Sequence, residues 1–484
     1  MKLLPYRVSE EVFTELAAGG GGTGAVGELR ALQRARRRLL VRGVVEEARA
    51  AGHAHAGLAA RAYDLLAELE SADADAVDAV LRHPAVGAWA WRTYRALTGE
   101  GAAGTVVAGS GGPGAGAATD PGRPQAGAAA GSGRLETGAA AGSAGPEVAA
   151  ADPGRLGALA VAAAVRARVA CEVRLPVRGS AIMLPSLGRA VLRHDPGEVA
   201  DLAVRPDGTG AELRAGRCAV RIDRGGDAPG WQALHRFPVA DGFSPILDDL
   251  DEYRWADHDV EPRLSAGRRR TWQACLDGAW RIMTADHRTV AEEVAAAVSV
   301  LTPIRPPAFG QNSASGREIF GTVALSEPRH GLGLAATFAH EIQHAKLTAL
   351  IDEVDLTLPD DGRRYYAPWR PDPRPAYGLL QGAYAFMGVA DFWRRRRGLE
   401  RGAAAFRAQV ELVRWREGAH LVIGTLLDSG GLTGRGEEFV TGMRRTVERL
   451  LAEPVDLDAA AQAHREAGWH RAAWNRRNAG ATGR

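Results

Sequence analysis

Cysteine is scarce in this chain of 484 residues: Cys171, Cys218 and Cys275 are the only three, with no CxxC spacing. An odd, scattered set excludes a disulfide scaffold and cysteine-based zinc fingers, and it suits a reducing cytosol. Aromatic residues are few, at 6%. A surplus of one charge is also missing, with 60 Lys and Arg against 58 Asp and Glu, so nucleic acid is not an expected partner. Long apolar runs are absent. The longest, Leu156 to Val165, falls well short of a membrane span, and the opening MKLLPYRVSEEVF meets charge too early for a secretory signal. The expectation is a soluble, cytoplasmic protein with no membrane contact.

Glycine, by contrast, is plentiful and unevenly placed. Residues 101–150 hold 14 Gly and 16 Ala, and such a stretch cannot offset the entropy of ordering its backbone. The sequence therefore predicts a disordered linker over 101–153 between a helical N-terminal region (1–100) and an α+β catalytic domain (154–480). GSGGPGAG in this stretch and GGGGTG at Gly19–Gly24 lack the Lys-Ser/Thr of a phosphate loop. The fold class expected is α+β, mostly α-helical. A small antiparallel β region lies around 171–245, where VRLPV, AIMLP, AVLR, CAVRID and HRFPV are broken by Gly, Pro and Asp. The C-terminal half is helical, with one long helix over Trp272–Val300 and others at Leu334–Ile351, Tyr377–Arg397, Ala403–Leu427, Gly436–Leu451 and Ala459–Asn475. The arginine run at Arg34, Arg36, Arg37 and Arg38 reads as the solvated face of an amphipathic helix. Asp248, Asp249 and Asp251 lack EF-hand spacing and read as a turn or a carboxylate network.

One motif carries strong chemistry. His340-Glu341-Ile342-Gln343-His344 is an HExxH sequence, and about 0.02 chance matches are expected in a chain of this composition. On a helix, His340 and His344 lie one turn apart on one face and can bind one metal ion together. Glu341 reaches the metal or its surroundings and is the candidate catalytic residue. The longer HExxHxxGxxH pattern is absent, because Leu347 and Leu350 occupy its later positions. A third ligand must come from another element, and Gln381, Asp391 and His420 are the candidates. His330 reads as a loop residue. The stretch Tyr365–Pro375 places Arg370 and Arg374 in a segment stiffened by four prolines. Pre-positioned guanidinium forks suit a carboxylate-bearing co-substrate, or else pair with Asp within the loop.

NSASGREIFGTVALS, FAHEIQHAKLTALIDEVDL, YYAPWRPDPRPAYGLLQGAYAFMGVADFW and LLDSGGLTGRGEEFV together resemble the HExxH-motif peptide-modification proteins of actinobacterial ribosomal-peptide clusters, the 2-oxoglutarate–HExxH-type peptide β-hydroxylases. The resemblance runs from about Leu156 to the C-terminus. It implies an Fe(II) oxygenase in which His340 and His344 hold iron and 2-oxoglutarate chelates it. The product is a peptide hydroxylated at Cβ. The implied partners are a ribosomal precursor peptide and other maturation enzymes of the same cluster. Gln381 stands where some members carry His, and a neutral amide is the weaker ligand. Arg370 and Arg374 are assigned to the 2-oxoglutarate carboxylate by the loop's chemistry. Two alternatives are a zinc metallopeptidase in which Glu341 activates water, and a degenerate peptide-binding or scaffold protein.

Overall fold

The computed structural model describes residues 7–99, 151–177, 179–192, 199–208, 210–255, 260–307 and 310–479. The linker expected over 101–153 lies outside the described residues as far as residue 150. Its last positions are packed: Asp152 and Pro153 are buried, and the Asp152 carbonyl accepts from the Trp89 indole at 2.9 Å.

Five helices open the chain: α1 (Glu10–Ala17), α2 (Gly22–Ala50), α3 (Ala56–Ala72), α4 (Ala74–Leu81) and α5 (Pro84–Thr98). Their starts are legible. Ser9 and Asp73 accept from backbone amides as N-caps of α1 and α4, and proline begins α5. The Ala-rich α6 (Leu156–Ala167) is buried on every side through Val165, since small side chains let helices and strands close on it from all directions.

The β region matches expectation in place and kind. Strands β1 (Cys171–Pro176), β2 (Ala181–Leu184), β3 (Gly188–Val191), β4 (Val199–Asp207), β5 (Gly210–Ala215), β6 (Cys218–Ile222) and β7 (Trp231–Ala233) form two antiparallel sheets, ordered β1-β4-β5-β6 and β2-β3-β7. A third, mixed sheet has the order β11-β12-β10-β9-β8. It comprises β8 (His235–Arg236), β9 (Ile246–Leu247), β10 (Val300–Pro303), β11 (Ser313–Ala314) and β12 (Thr322–Leu325), with β10 parallel to both β9 and β12.

The long helix expected over Trp272–Val300 is two helices, α7 (Ala266–Asp286) and α8 (Arg288–Ala297). His287 leaves helical geometry between them (φ −135°, ψ 47°), and its ring stacks on Phe392 at 4.2 Å. Helices α9 (Gly331–Ile351), α10 (Ala376–Arg396), α11 (Gly402–Asp428), α12 (Gly434–Leu451) and α13 (Leu457–Asn478) complete the chain. Among the described residues, no helix is long and apolar enough to cross a membrane.

Helix α9 is the axis of the larger core. Seventeen of its residues are buried, packed between α7, α8 and α10 with α2 alongside. The N-terminal helices share that core: Val12, Phe13, Leu16 and Leu29 belong to the same apolar cluster as Phe338 and Phe386. They do not stand apart as a separate unit.

Candidate metal centre

A buried helix this polar needs partners for its polar groups. Two side chains of α9 beside the HExxH turn tie it to other elements. Lys346, fully buried, donates to Glu293 of α8 at 2.8 Å and to the carbonyls of Gly19 and Gly20. Gln343 donates to the Gly19 carbonyl. Gly388 of α10 leaves room for Gln343, because a Cβ there would lie 2.7 Å from its side chain.

The two histidines converge as the spacing predicts. Their Nε2 atoms face each other at 3.1 Å. Two nitrogens each about 2.05 Å from one ion lie about 2.9 Å apart at a right angle and about 3.3 Å apart at a tetrahedral angle. The observed separation falls between those values, so the pair fits a shared metal ion. Burial, reinforced by the neighbouring His344, holds the His340 imidazole well below its ordinary pKa. Burial brings His344 down to about 4, against the pull of Gln381. Both rings are therefore neutral near pH 7, the state a metal requires of them.

Gln381 is present, but not as the expected third ligand. Its Oε1 lies 3.1 Å from His344 Nδ1, on the edge of the ring opposite the one facing His340. An amide oxygen only accepts, so Nδ1 carries the proton and Nε2 keeps its lone pair for a metal. The amide nitrogen in turn donates to Tyr377 Oη at 3.3 Å. Gln381 therefore sets the tautomer and orientation of His344, which corrects the reading of it as a ligand. Spacing could place Gln381 near the site but not on a particular edge of a ring.

Glu341 lies close by without joining the pair. Its Oε1 sits 4.0 Å from His340 Nε2 and accepts from the Ser313 hydroxyl of β11 at 2.7 Å. Burial raises its carboxyl to about 7, against the stabilising Ser313 bond. Beside a metal, such a group can hold or release a proton near neutrality. Among the described residues, no third His, Cys, Asp or Glu brings a ligand atom within 4.8 Å of both imidazoles. Asp391 instead pairs with Arg394 and Arg395. His420 is half-buried on α11. His330 caps α9, its Nδ1 accepting from the Gly333 amide at 3.0 Å.

The proline-rich loop approaches the site differently from expectation. Arg370 and Arg374 both bind Asp372, at 2.8 and 3.3 Å. Each gives one nitrogen to Asp372, the pairing within the loop that stands as the alternative to a co-substrate carboxylate. Trp369 is what the loop delivers. Its ring lies over Gly382, where a Cβ would come within 2.4 Å, and stands 4.8 Å from Phe386. Phe386 packs on His340 at 4.9 Å and stacks on Trp415 at 4.1 Å. This aromatic wall makes the centre dry on one side. Ser313, Trp369, Tyr377 and Phe386 all fall in or beside segments the resemblance singled out, but nothing in the sequence alone assigned them these contacts.

A second group was read from the sequence only in its carboxylates, without its histidine. His83, at the start of α5, meets Asp248 and Asp251, all three buried. Asp251 is held by Arg155 at 2.6 and 2.8 Å, and Asp248 accepts from the amides of Leu250 and Asp251. Burial brings His83 down to about 4, and Arg155, Arg37 and Arg166 act in the same direction against Asp251. The group is a buried carboxylate network, not a solvated turn, and it could hold a metal ion: Asp248 Oδ2 and both His83 nitrogens have no hydrogen-bond partner among the described residues. Cys171 and Cys218 are half-buried, Cys275 is buried, and all three are free thiols.

No family model matches the chain, and no curated protein matches it.

Proposed function

We propose that this protein is an Fe(II)/2-oxoglutarate-dependent hydroxylase acting on a residue of a ribosomally made precursor peptide. The observation that carries the reading is the convergence of two neutral, oriented imidazoles on one point, with no third carboxylate or imidazole among the described residues joining them. A centre with two protein ligands leaves adjacent positions open for a chelating co-substrate and for O₂. Held there by His340 and His344, iron with 2-oxoglutarate would supply oxygen-activating chemistry that divides O₂ between a hydroxylated peptide and succinate, with loss of CO₂. The chain's own residues do the rest. Gln381 fixes the tautomer of His344, Glu341 holds a proton beside the centre, and Phe386 and Trp369 keep water from one side of it.

Glu341 favours a second reading. A carboxyl that titrates near 7 beside a metal is what a zinc peptidase uses to activate water. Incubation with precursor peptide, iron(II), 2-oxoglutarate and O₂ separates the two readings. Hydroxylation predicts a peptide heavier by one oxygen and one equivalent of succinate, with both lost in His344→Ala. Peptide cleavage supported by zinc, with no succinate, would contradict it.

A further inference from the structure

A concavity lies apart from the metal centre, and no residue of α9 lines it. It is a cleft of about 590 Å³ between α2, the α4–α5 junction, α6, β8 and the end of α8, within the size range of small-molecule sites. Its charge is lopsided. Arg30, Arg34, Arg37, Arg82, Arg166 and Arg236 line it, and Asp78 is the one carboxylate among its lining residues. Six positive charges less one negative give +5, in a chain whose total is +2.

Asp78 pairs with Arg34 at 2.5 Å and with Arg82 at 3.0 Å. Three of the other four guanidinium groups rest on neutral oxygens. Arg37 donates to the carbonyls of Arg82 and Phe320. Arg166 donates twice to Ser186, through its hydroxyl and its carbonyl at 2.9 Å each, and Ser186 is held at a left-handed φ of 69°. Arg236 donates to the Ser244 carbonyl at 2.9 Å. Burial and mutual repulsion bring Arg37 and Arg166 down to about 10. Arg30 and Arg236 are also lowered, and Arg82 contributes to the repulsion on each. Converging guanidinium groups whose charge is only partly balanced cost free energy, and an anion recovers it through bidentate, charge-assisted hydrogen bonds.

We propose that this cleft binds a compact polyanion, a small molecule carrying at least two phosphate or carboxylate groups. Its concave shape and limited volume fit a small molecule, where a nucleic acid would need an extended basic stripe. The site is independent of the metal centre, so it stands or falls separately from the proposed activity.

Calorimetric titration of the full chain with inorganic tripolyphosphate and, separately, citrate tests it. Binding of either is expected, and the tighter of the two identifies phosphate or carboxylate as the preferred chemistry. Arg30→Gln and Arg236→Gln each remove a partly solvated guanidinium from the lining and should weaken binding about tenfold. Arg288→Gln, an exposed arginine paired with Glu292 outside the cleft, should leave binding unchanged. In the unsubstituted protein, the tighter-binding anion should slow amide exchange in α2 and at Arg82–Ala85, which checks the location without any variant. No binding of either anion overturns the proposal. So does equal binding by the two cleft variants, equal weakening by Arg288→Gln, or no change in exchange at those segments.

Discussion

At the metal centre each side chain has one geometric task, and the tasks are separable by substitution. Gln381→Leu keeps the bulk of the residue but loses the acceptor at His344 Nδ1. Metal affinity should fall 10- to 100-fold, the usual effect of losing such a support, while the protein remains folded; competition with a chelator reads this directly. An unchanged affinity would show that Gln381 does not orient the ring. Lys346 makes a different kind of claim. It is buried with Glu293, and removing one partner of such a pair strands the other, at about 3–5 kcal/mol. Lys346→Met should cost that much in chemical denaturation, and adding Glu293→Gln should restore much of it. The histidine pair and Glu341 were legible from the motif, because helical periodicity fixes which side chains share a face. Gln381 was legible as a neighbour only. The role of the loop arginines stayed open in the sequence, because Asp372, two residues from each, pairs with both and competes with any external carboxylate.

Between residue and molecule lie the helices, and two of their features carry predictions. The turn at His287 separates α7 from α8, and periodicity could not reveal it, because the apolar pattern continues across the break. Its imidazole is buried between the helices and α10. Burial, with Arg395 and Arg396, holds it down to about 4, against Asp286 and Asp391. A histidine with a depressed pKa contributes stability that is full above its unfolded value, near 6.5, and is lost as pH falls through about 4. His287→Gln should therefore flatten the acid limb of a plot of melting temperature against pH; an unaltered limb would remove His287 as a cause. Helix α10 has its own constraint at Gly382, which admits the Trp369 ring. Gly382→Ala should expel that ring at a cost of about 1–3 kcal/mol and change the tryptophan fluorescence. Native-like fluorescence and stability would show that the loop adjusts freely. Helix existence was legible nearly throughout the C-terminal half, with ends displaced by only a few residues. The two antiparallel sheets were legible from alternation and turn residues. The mixed sheet was legible only in places, such as β8 within HRFPV, since strands of two to four residues leave little pattern to read.

Over the whole molecule, the division suggested by composition gives way to shared packing. The first helices are not an appendage to the metal-bearing part. Tyr384 donates to the Leu16 carbonyl at 2.7 Å, Lys346 and Gln343 both reach the Gly19 turn, and the Val8 amide donates to Glu353. A chain lacking residues 1–99 would expose Phe338's apolar cluster and leave Lys346 with fewer acceptors. It should fail to melt cooperatively, and cooperative melting would contradict the shared core. Near-neutral total charge also conceals segregation. The arginines read as a solvated helix face include Arg37 and Arg38, which are buried, and Arg34 and Arg37, which line the cleft. A one-dimensional charge count cannot separate these cases, because burial is set by helices far away in sequence. The central claim is that His340 and His344 together hold one functional metal ion. Anaerobic titration of metal-free protein with iron(II) tests it most directly. The account predicts one ion bound per chain, tighter binding when 2-oxoglutarate is present, and no such site in His340→Ala or His344→Ala. Equal binding by those variants and the unsubstituted protein would contradict it.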